Sequence, residues 1–212
     1  MTSSIAILIC LSKDENLHIE RFVNSIKNAR NSDKYNYHFY VASPNDISTS
    51  FENVKILKDP GTGSCEAFNL LAKESTGDYL LCLTEGVGVP DNFFDVVDVL
   101  NSLQYKLTSF SVGSGHCSTS KNSQILRFPC LSREVLEKEL DGVIFNSNFK
   151  HHYMDNWLAD WTTFKGNPCS EAGPRLHDLP HPTNHEHDAY DSEIYQTLVN
   201  NYTEDTNYNI QL

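Results

Sequence analysis

The feature that most constrains this chain is the continuously apolar run at residues 5–11, Ile-Ala-Ile-Leu-Ile-Cys-Leu. A strand that is apolar on both faces is typical of a parallel sheet with helices packed on each side. The run is too short to span a bilayer and lacks the basic flank of a secretory signal. We therefore interpret residues 5–11 as a central, buried strand.

Strand-like and helix-like segments then alternate along the first 90 residues. Polar residues follow the first strand, and apolar residues recur at helical spacing up to Ile26. Further strand-like runs lie at 37–41, 54–57 and 79–83, and a helix is predicted to follow Gly63 and to end at Gly77 with a left-handed cap. This alternation predicts an α/β fold with a mostly parallel sheet, which binds ligands beyond the carboxyl ends of its strands.

The pattern changes after Pro90. Helices are predicted near residues 93–103 and 133–140, and strands near 107–112 and 125–128. A polar, aromatic and His-rich stretch follows, and residues 201–212 are predicted to be a polar tail. We expect one domain over residues 1–212, which could belong to a longer polypeptide.

Charge and cysteine content exclude several classes of protein. The formal net charge of −12 disfavours a nucleic-acid partner, which would need clustered Lys and Arg. The six cysteines form no CxxC pair and lie mostly in apolar stretches, which favours reduced thiols over zinc ligands or disulfides. We therefore expect a cytoplasmic protein without a transmembrane segment.

Two Gly-containing turns lie where a parallel sheet would bind a ligand. Gly61 and Gly63 precede a helix and could offer backbone amides to a phosphate, although an ordinary turn fits equally well. They match neither GxGxxG nor GxxxxGK[ST], which disfavours a dehydrogenase or a P-loop NTPase. Glu85 follows a buried strand directly and could hold a divalent cation; the alternative is a solvated carboxylate in a turn.

Two His-containing segments carry the remaining candidates. Asp155 lies among His151, His152 and Trp157, surroundings that suit a general base, although a surface helix with a buried Trp157 is the alternative. Four histidines lie among acidic residues at positions 177–191 and could include a metal ligand. HExxH is absent from this segment, which disfavours a metalloprotease, and a solvated His-rich loop is the alternative.

In this order, the segments resemble glycosyltransferase family 2 enzymes with the glycosyltransferase-A fold. Residues 5–15 resemble the family's first strand and Asn-Glu loop, and residues 66–85 resemble the stretch leading into its Asp-x-Asp metal motif. Residues 153–158 resemble the acceptor-side acidic motif, and His181 with Pro182 resembles a His-Pro segment that can supply a metal-binding imidazole. More narrowly, the chain resembles glycosyltransferases that chlorella viruses encode and that are implicated in building capsid glycans.

The resemblance implies an inverting transfer from a nucleotide-sugar donor, by family habit a UDP-sugar, to a carbohydrate acceptor. Mn²⁺ or Mg²⁺ would stabilise the leaving diphosphate, and Asp155 would be the catalytic base. The implied fold is a central, mostly parallel mixed sheet flanked by helices, with a nucleotide-sugar-binding half at 1–90 and an acceptor and metal half at 91–200. The implied donor-binding residues are Leu11, Ser12, Ser43, Gly63, Asn69, Thr84 and Glu85, and the implied metal ligands are Glu85 and His181.

Two departures from the family pattern leave other functions open. Ala42 and Ser43 stand where an acidic pair is usual, and Gly86 stands where a metal ligand is usual. Glu85 and a histidine would therefore have to do more of the metal binding. The alternatives are a catalytically weak nucleotide- or sugar-binding module and a metal-dependent hydrolase that uses the His-rich segment.

Overall fold

The computed structural model describes residues 3–11, 18–84, 87–111, 125–167, 169, 171–178 and 188–204. Its strands are β1 (Ser4–Cys10), β2 (Asn36–Ser43), β3 (Val54–Lys58), β4 (Tyr79–Thr84), β5 (Val87–Gly88), β6 (Leu107–Ser111), β7 (Pro129–Ser132), β8 (Gly173–Arg175) and β9 (His177–Asp178). Its α-helices are α1 (His18–Asn28), α2 (Ser64–Glu74), α3 (Asp95–Ser102), α4 (Arg133–Lys138), α5 (Met154–Phe164) and α6 (Asp188–Glu204), with a short 3₁₀-helix at Ser32–Lys34.

Seven of these strands form one mixed sheet in the order β3-β2-β1-β4-β7-β6-β8. β1 runs parallel to β2 and β4, and β2 runs parallel to β3, whereas β7 is antiparallel to both β4 and β6. β5 and β9 form a separate two-stranded ribbon. The predicted central, mostly parallel mixed sheet flanked by helices is confirmed.

The apolar run of β1 lies between two hydrophobic cores. Ala6, Leu8 and Cys10 pack into a core with residues of α2, α5 and α6. Ile5, Ile7 and Ile9 alternate with them and pack into a second core with residues of α1 and α3. Each buried aliphatic side chain of this kind contributes about 1.5–3 kcal/mol. β1 is continuously apolar because both of its faces are covered.

Helix α2 ends differently from the prediction. It stops at Glu74, and Ser75 is extended rather than left-handed. The Arg133 guanidinium donates to the carbonyl oxygens of Ala72 (3.0 Å), Ser75 (3.1 Å) and Gly77 (3.3 Å), and to the Ser75 hydroxyl (2.9 Å). A cation from a distant helix therefore satisfies the free carbonyl groups at this helix end.

The second half of the chain departs furthest from the predicted elements. The strand predicted at residues 125–128 forms instead at Pro129–Ser132, beside β4 and β6. Helix α6 runs through Glu204, so the boundary of the tail predicted at 201–212 falls inside a helix. Tyr195 and Val199 of α6 are buried against the first core.

Two features bear on the predicted environment of the protein. The cysteines at positions 10, 65, 82, 130 and 169 are buried thiols. Within the part of the chain that the structure describes, no helix has the length and apolar character needed to cross a membrane.

Candidate functional site

Three of the predicted donor-binding residues lie at the carboxyl edge of the sheet. Cys10 pairs with Ala42 on one side and with Thr84 on the other, and the Leu11 amide donates to the Ala42 carbonyl at 3.0 Å. Leu11 directly follows β1, and Ser43 and Thr84 end β2 and β4, so the three residues lie at the same level of three adjacent parallel strands. Ser12 and Glu85, which were also predicted to contact the donor, lie outside the described residues.

Ser43 is almost fully buried at this edge. Its hydroxyl donates to the Asn45 carbonyl at 2.9 Å and accepts from the Asn45 amide at 3.2 Å. The Ser43 carbonyl in turn accepts from the Asp59 amide at 2.9 Å. Ser43 thus fixes the turn after β2 and ties it to the loop after β3, so that its predicted contact with a nucleoside rests on a rigid backbone.

The loop at residues 59–63 connects β3 to the N-terminus of α2. The Gly61 amide donates to the Asp59 carboxylate at 2.7 Å. Gly63 has φ 127° and ψ 167°, a backbone region that is essentially restricted to glycine. A Cβ at Gly63 would lie 2.2 Å from the Lys150 carbonyl oxygen. The glycine allows the backbone at Lys150 to approach the start of α2 closely.

Asn69, a further predicted donor-binding residue, holds a loop within the domain. Its Nδ2 donates to the Phe145 carbonyl at 2.7 Å, and its Oδ1 accepts from the amides of Ile144 (2.9 Å) and Phe145 (3.1 Å). Both the amide nitrogen and the amide oxygen of Asn69 are therefore hydrogen-bonded to the backbone of residues 144–145. A contact between Asn69 and a nucleotide stays a prediction.

A segment from the second half of the chain, residues 150–152, lies against the start of α2. The Ser64 hydroxyl lies 2.8 Å from Nδ1 of His151. On the other side of the segment, the fully buried Asp191 carboxylate accepts from the amides of Lys150 (2.8 Å), His151 (2.8 Å) and His152 (2.7 Å). The segment is therefore bound to α2 and to α6 at once.

Asp155, the predicted base, lies in the first turn of α5, immediately after this segment. The sulfur of the preceding Met154 lies 3.1 Å from that of Cys65, which places this turn beside the start of α2 and hence at the carboxyl edge of the sheet. The Asp155 carboxylate is partly buried and accepts from the Asn156 amide at 2.9 Å. The alternative interpretation of this segment was a surface helix with a buried Trp157. Trp157 is buried as expected, but most of α5 is buried with it, so α5 is not a surface helix.

Burial raises the pKa of Asp155 above that of an ordinary aspartate. The Asn156 amide and the nearby charges of Arg127 and His152 lower it and offset part of this rise. A carboxylate with a raised pKa accepts a proton more readily, which suits the role of a general base.

The residue between the segment and α5 has an unusual backbone. Tyr153 has φ 61° and ψ −3°, a left-handed conformation that costs a residue other than glycine about 1–2 kcal/mol. Its carbonyl accepts from the Trp157 amide at 2.8 Å, and its ring stacks on that of Tyr195 with centroids 5.3 Å apart. Such strain persists when the surrounding contacts enforce it, and it is common at functional sites.

The predicted metal ligands, Glu85 and His181, lie outside the described residues. The β5–β9 ribbon pairs Val87, which directly follows residues 85–86, with Asp178, which directly precedes residues 179–187. Among the residues that are described, no group of three His, Cys, Asp or Glu side chains could hold a metal. The described donors alone therefore do not make a metal site.

Sequence reasoning missed the roles of Asp191 and Ser64. In the sequence, Asp191 is one acidic residue of the His-rich stretch, and residues 191–195 also resemble part of the family's His-Pro segment, but neither feature predicts that Asp191 is buried. Its spacing from Tyr195, which lies one turn further along α6, is a helical signal that could have suggested a buried face.

Solved structures with a similar fold include a mannosyltransferase. The crystal structure of S. aureus TarS 1-349 in complex with UDP-GlcNAc matches with a TM-score of 0.65 and 11% identity, over 98% of this chain and 68% of that one. The chain has the glycosyltransferase-A fold. At this identity the likeness concerns the fold alone.

Two more of these structures are longer than the present chain. The mannosyltransferase PcManGT from Pyrobaculum calidifontis in complex with GDP-Man and Mn²⁺ matches with a TM-score of 0.59 and 15% identity, over 87% of this chain and 59% of that one. S. aureus TarS matches with a TM-score of 0.61 and 12% identity, over 99% of this chain and 40% of that one. The chain thus spans about half the length of these two structures. No protein-family profile matches the sequence, and no curated protein matches it.

Proposed function

We propose that the protein is a glycosyltransferase that moves a sugar from a nucleotide-sugar donor to a carbohydrate acceptor, with a UDP-sugar as the first donor to test. The observation that carries this proposal is the meeting of two sets of residues at the carboxyl edge of a glycosyltransferase-A sheet. The ends of β1, β2 and β4 supply the first set, and the start of α5 with Asp155 supplies the second. The UDP-GlcNAc and GDP-Man complexes of similar structures support the donor class.

In this proposal the donor lies over the strand ends. Leu11 and Ser43 border the nucleoside, and Thr84 lies where the diphosphate would approach the sheet. The backbone at Gly63 and the first turn of α2 offer amide groups to a phosphate, because the first amides of a helix have no partner within it. Predicted contacts at Ser12 and Glu85 would complete this subsite.

Asp155 is the proposed base for the transfer. Its carboxylate takes the proton of an acceptor hydroxyl while that oxygen attacks the anomeric carbon of the donor sugar. The bond from the anomeric carbon to the diphosphate oxygen breaks, its electron pair leaves with the nucleoside diphosphate, and the sugar configuration inverts. Mn²⁺ or Mg²⁺ at Glu85 and His181 would neutralise charge on the diphosphate, and this metal site stays a prediction.

The acceptor side of the proposal follows from the sequence resemblance. We assign the enzyme to viral or cell-surface glycan synthesis, because the chain resembles glycosyltransferases of chlorella viruses. A screen of oligosaccharide acceptors, with the nucleotide sugar that the protein consumes as donor, tests this assignment.

The first experiment joins ligand binding to turnover. Nucleoside diphosphates are screened by thermal shift with and without Mn²⁺, and the sugar donor of the stabilising nucleotide is then assayed for transfer and hydrolysis. We expect one diphosphate to raise the Tm and its sugar donor to be consumed. A Tm shift without consumption would instead favour a binding module, and tight Zn²⁺ binding without any nucleotide effect would favour a hydrolase.

The role of Asp155 is tested with Asp155→Asn and a matched control. Loss of a general base typically lowers turnover by about 10²–10⁴-fold, and the nucleotide-induced Tm shift should remain. Asp160→Asn changes another buried carboxylate of α5, one that accepts from the Tyr195 hydroxyl at 2.5 Å, and should leave turnover within a few-fold of the parent. Parental turnover in Asp155→Asn would remove Asp155 from the role of base.

A further inference from the structure

The Asp191 carboxylate is fully buried and is bonded to a distant segment of the backbone. Asp191 is 0% exposed, although Asp is rarely buried unless it has partners. Its partners are three successive backbone amides, those of Lys150, His151 and His152, all within 2.8 Å. These donors lie 39–41 residues away in sequence, so the bonds join α6 to a distant segment rather than close a local turn.

The opposite side of the 150–152 segment is equally constrained. Gly63 approaches so closely that a Cβ there would overlap the Lys150 carbonyl. The Ser64 hydroxyl meets the His151 imidazole at 2.8 Å. Under the proposed function, Gly63 and Ser64 belong to the end of the site that binds the donor phosphates. The segment therefore touches the donor subsite on one side and Asp191 on the other.

The chain then leads directly from this segment into the proposed acceptor subsite. Tyr153 follows in the left-handed conformation, and Asp155 is the second residue of α5. The only residues between the last amide bound by Asp191 and Asp155 are Tyr153 and Met154. A shift of the segment would thus be transmitted to the Asp155 carboxylate.

We propose that Asp191 is a positioning residue for the transfer reaction: by binding the three amides of residues 150–152 it fixes Asp155 relative to the donor subsite at the start of α2. This inference rests on the proposed function, because it assigns Asp191 a role in that same site. Asp191 contacts neither donor nor acceptor in this account. It acts through the backbone that it holds.

The chemistry of the clamp requires a carboxylate. Three N–H groups converge on two oxygen atoms that accept and do not donate, and bonds of this kind to a charged acceptor are stronger than neutral ones. In Asp191→Asn one oxygen becomes an NH₂ group that faces an amide donor. Asp191→Glu keeps the carboxylate and lengthens the side chain by one methylene group. Tyr195→Phe is the matched control, because it removes another bond between α6 and α5, that to Asp160, and leaves the three amides in place.

The experiment measures backbone hydrogen exchange and steady-state kinetics on the four full-length proteins. In Asp191→Asn we expect the amides of residues 150–152 to exchange at least tenfold faster, and kcat to fall at least tenfold while nucleotide affinity stays within about threefold. A loss of this size fits a displacement of the base by less than 1 Å, since 1 Å can cost about 10²-fold. Asp191→Glu should recover part of both losses. Tyr195→Phe should lower the Tm comparably and change neither the exchange at 150–152 nor kcat.

Each contrary outcome is distinct. Unchanged exchange at residues 150–152 in Asp191→Asn would overturn the clamp, whatever the activity. Faster exchange with parental kcat, or an equal loss of kcat in Tyr195→Phe, would reduce Asp191 to a structural residue. A parent protein that consumes no nucleotide sugar would overturn the proposed function, and with it the catalytic part of this inference, while the exchange result would still decide whether the clamp exists.

Discussion

Gly63→Ala and Gly61→Ala form a pair of substitutions that measures how tightly the two halves of the site are joined. Both glycines lie in the loop before α2 and both have positive φ, +74° for Gly61 and +127° for Gly63. They differ in what a Cβ would meet. At Gly61 nothing lies within 4 Å, whereas at Gly63 the Lys150 carbonyl oxygen lies at 2.2 Å.

The magnitudes follow from these contacts. Ordinary contact with a Cβ begins near 3.4 Å, so the backbone at Lys150 or at Gly63 must move by about 1.2 Å to admit alanine. We expect Gly61→Ala to lower the free energy of unfolding by about 1–2 kcal/mol, because it adds left-handed strain alone. Gly63→Ala adds steric overlap to a backbone region reserved for glycine, and should lower it by about 3–5 kcal/mol.

Gly63→Ala and Gly61→Ala should also differ in their rates of sugar transfer. A displacement of about 1 Å in the segment that precedes Asp155 should reduce transfer by about 10²-fold. Gly61→Ala should transfer sugar at close to the parental rate. Chemical denaturation gives the stabilities, and donor consumption in the presence of acceptor gives the rates. The reasoning would be refuted if Gly63→Ala matched Gly61→Ala in both measurements, since the close approach of Lys150 would then have no consequence.

Three further predictions concern stability, pH and metal. Arg133→Met should lower the free energy of unfolding by about 3 kcal/mol, because it removes four hydrogen bonds to the end of α2 and the residues that follow it. Thermal denaturation should show that the Tm falls by about 6–12 °C, and a fall of less than about 2 °C would contradict the capping role of Arg133. Because burial raises the pKa of Asp155 in the folded state, the protonated carboxyl of Asp155 stabilises the fold at low pH, and this contribution is lost as pH rises from about 4 through the folded-state pKa. The difference in Tm between Asp155→Asn and the parent should therefore shift in favour of the variant over this range, and a constant difference would contradict the burial effect. EDTA should abolish transfer and Mn²⁺ or Mg²⁺ should restore it, so activity that survives EDTA would exclude a metal requirement.

The first half of the fold could be predicted because the apolar pattern of its strands matches the way in which the sheet is covered in the structure. The runs that form β1 and β4 are apolar on both faces, a pattern typical of a parallel sheet that is covered on both sides. The position predicted for β7, residues 125–128, was wrong, and the reason lies in Pro129. The apolar residues at 125–128 suggested a strand, and Pro129 lacks the amide that most strand positions need. Yet β7 begins at that proline, opposite Ser109 of β6.

The candidate site could be predicted in part. The ends of parallel strands meet at one edge whatever the rest of the chain does, so Leu11, Ser43 and Thr84 could be grouped from sequence. The burial of Asp191 could not, because a carboxylate bound by three distant amides has the same sequence signature as a solvated one. Asn69 illustrates the converse. Its side chain lies near a predicted binding loop but is hydrogen-bonded to the backbone of residues 144–145, and no sequence signal places those residues beside it.

The position of β1 in the sheet also governs how the chain can fold during synthesis. β1 pairs with β2 about 30 residues later, but its other edge pairs with β4, where Ile5 lies opposite Tyr79. Until residue 84 has left the ribosome, the most apolar strand of the molecule presents an unpaired edge, and such edges promote aggregation. Nascent chains that end between β3 and β4 should therefore need a chaperone to stay in solution, whereas those that extend past Thr84 carry the strand that covers this edge.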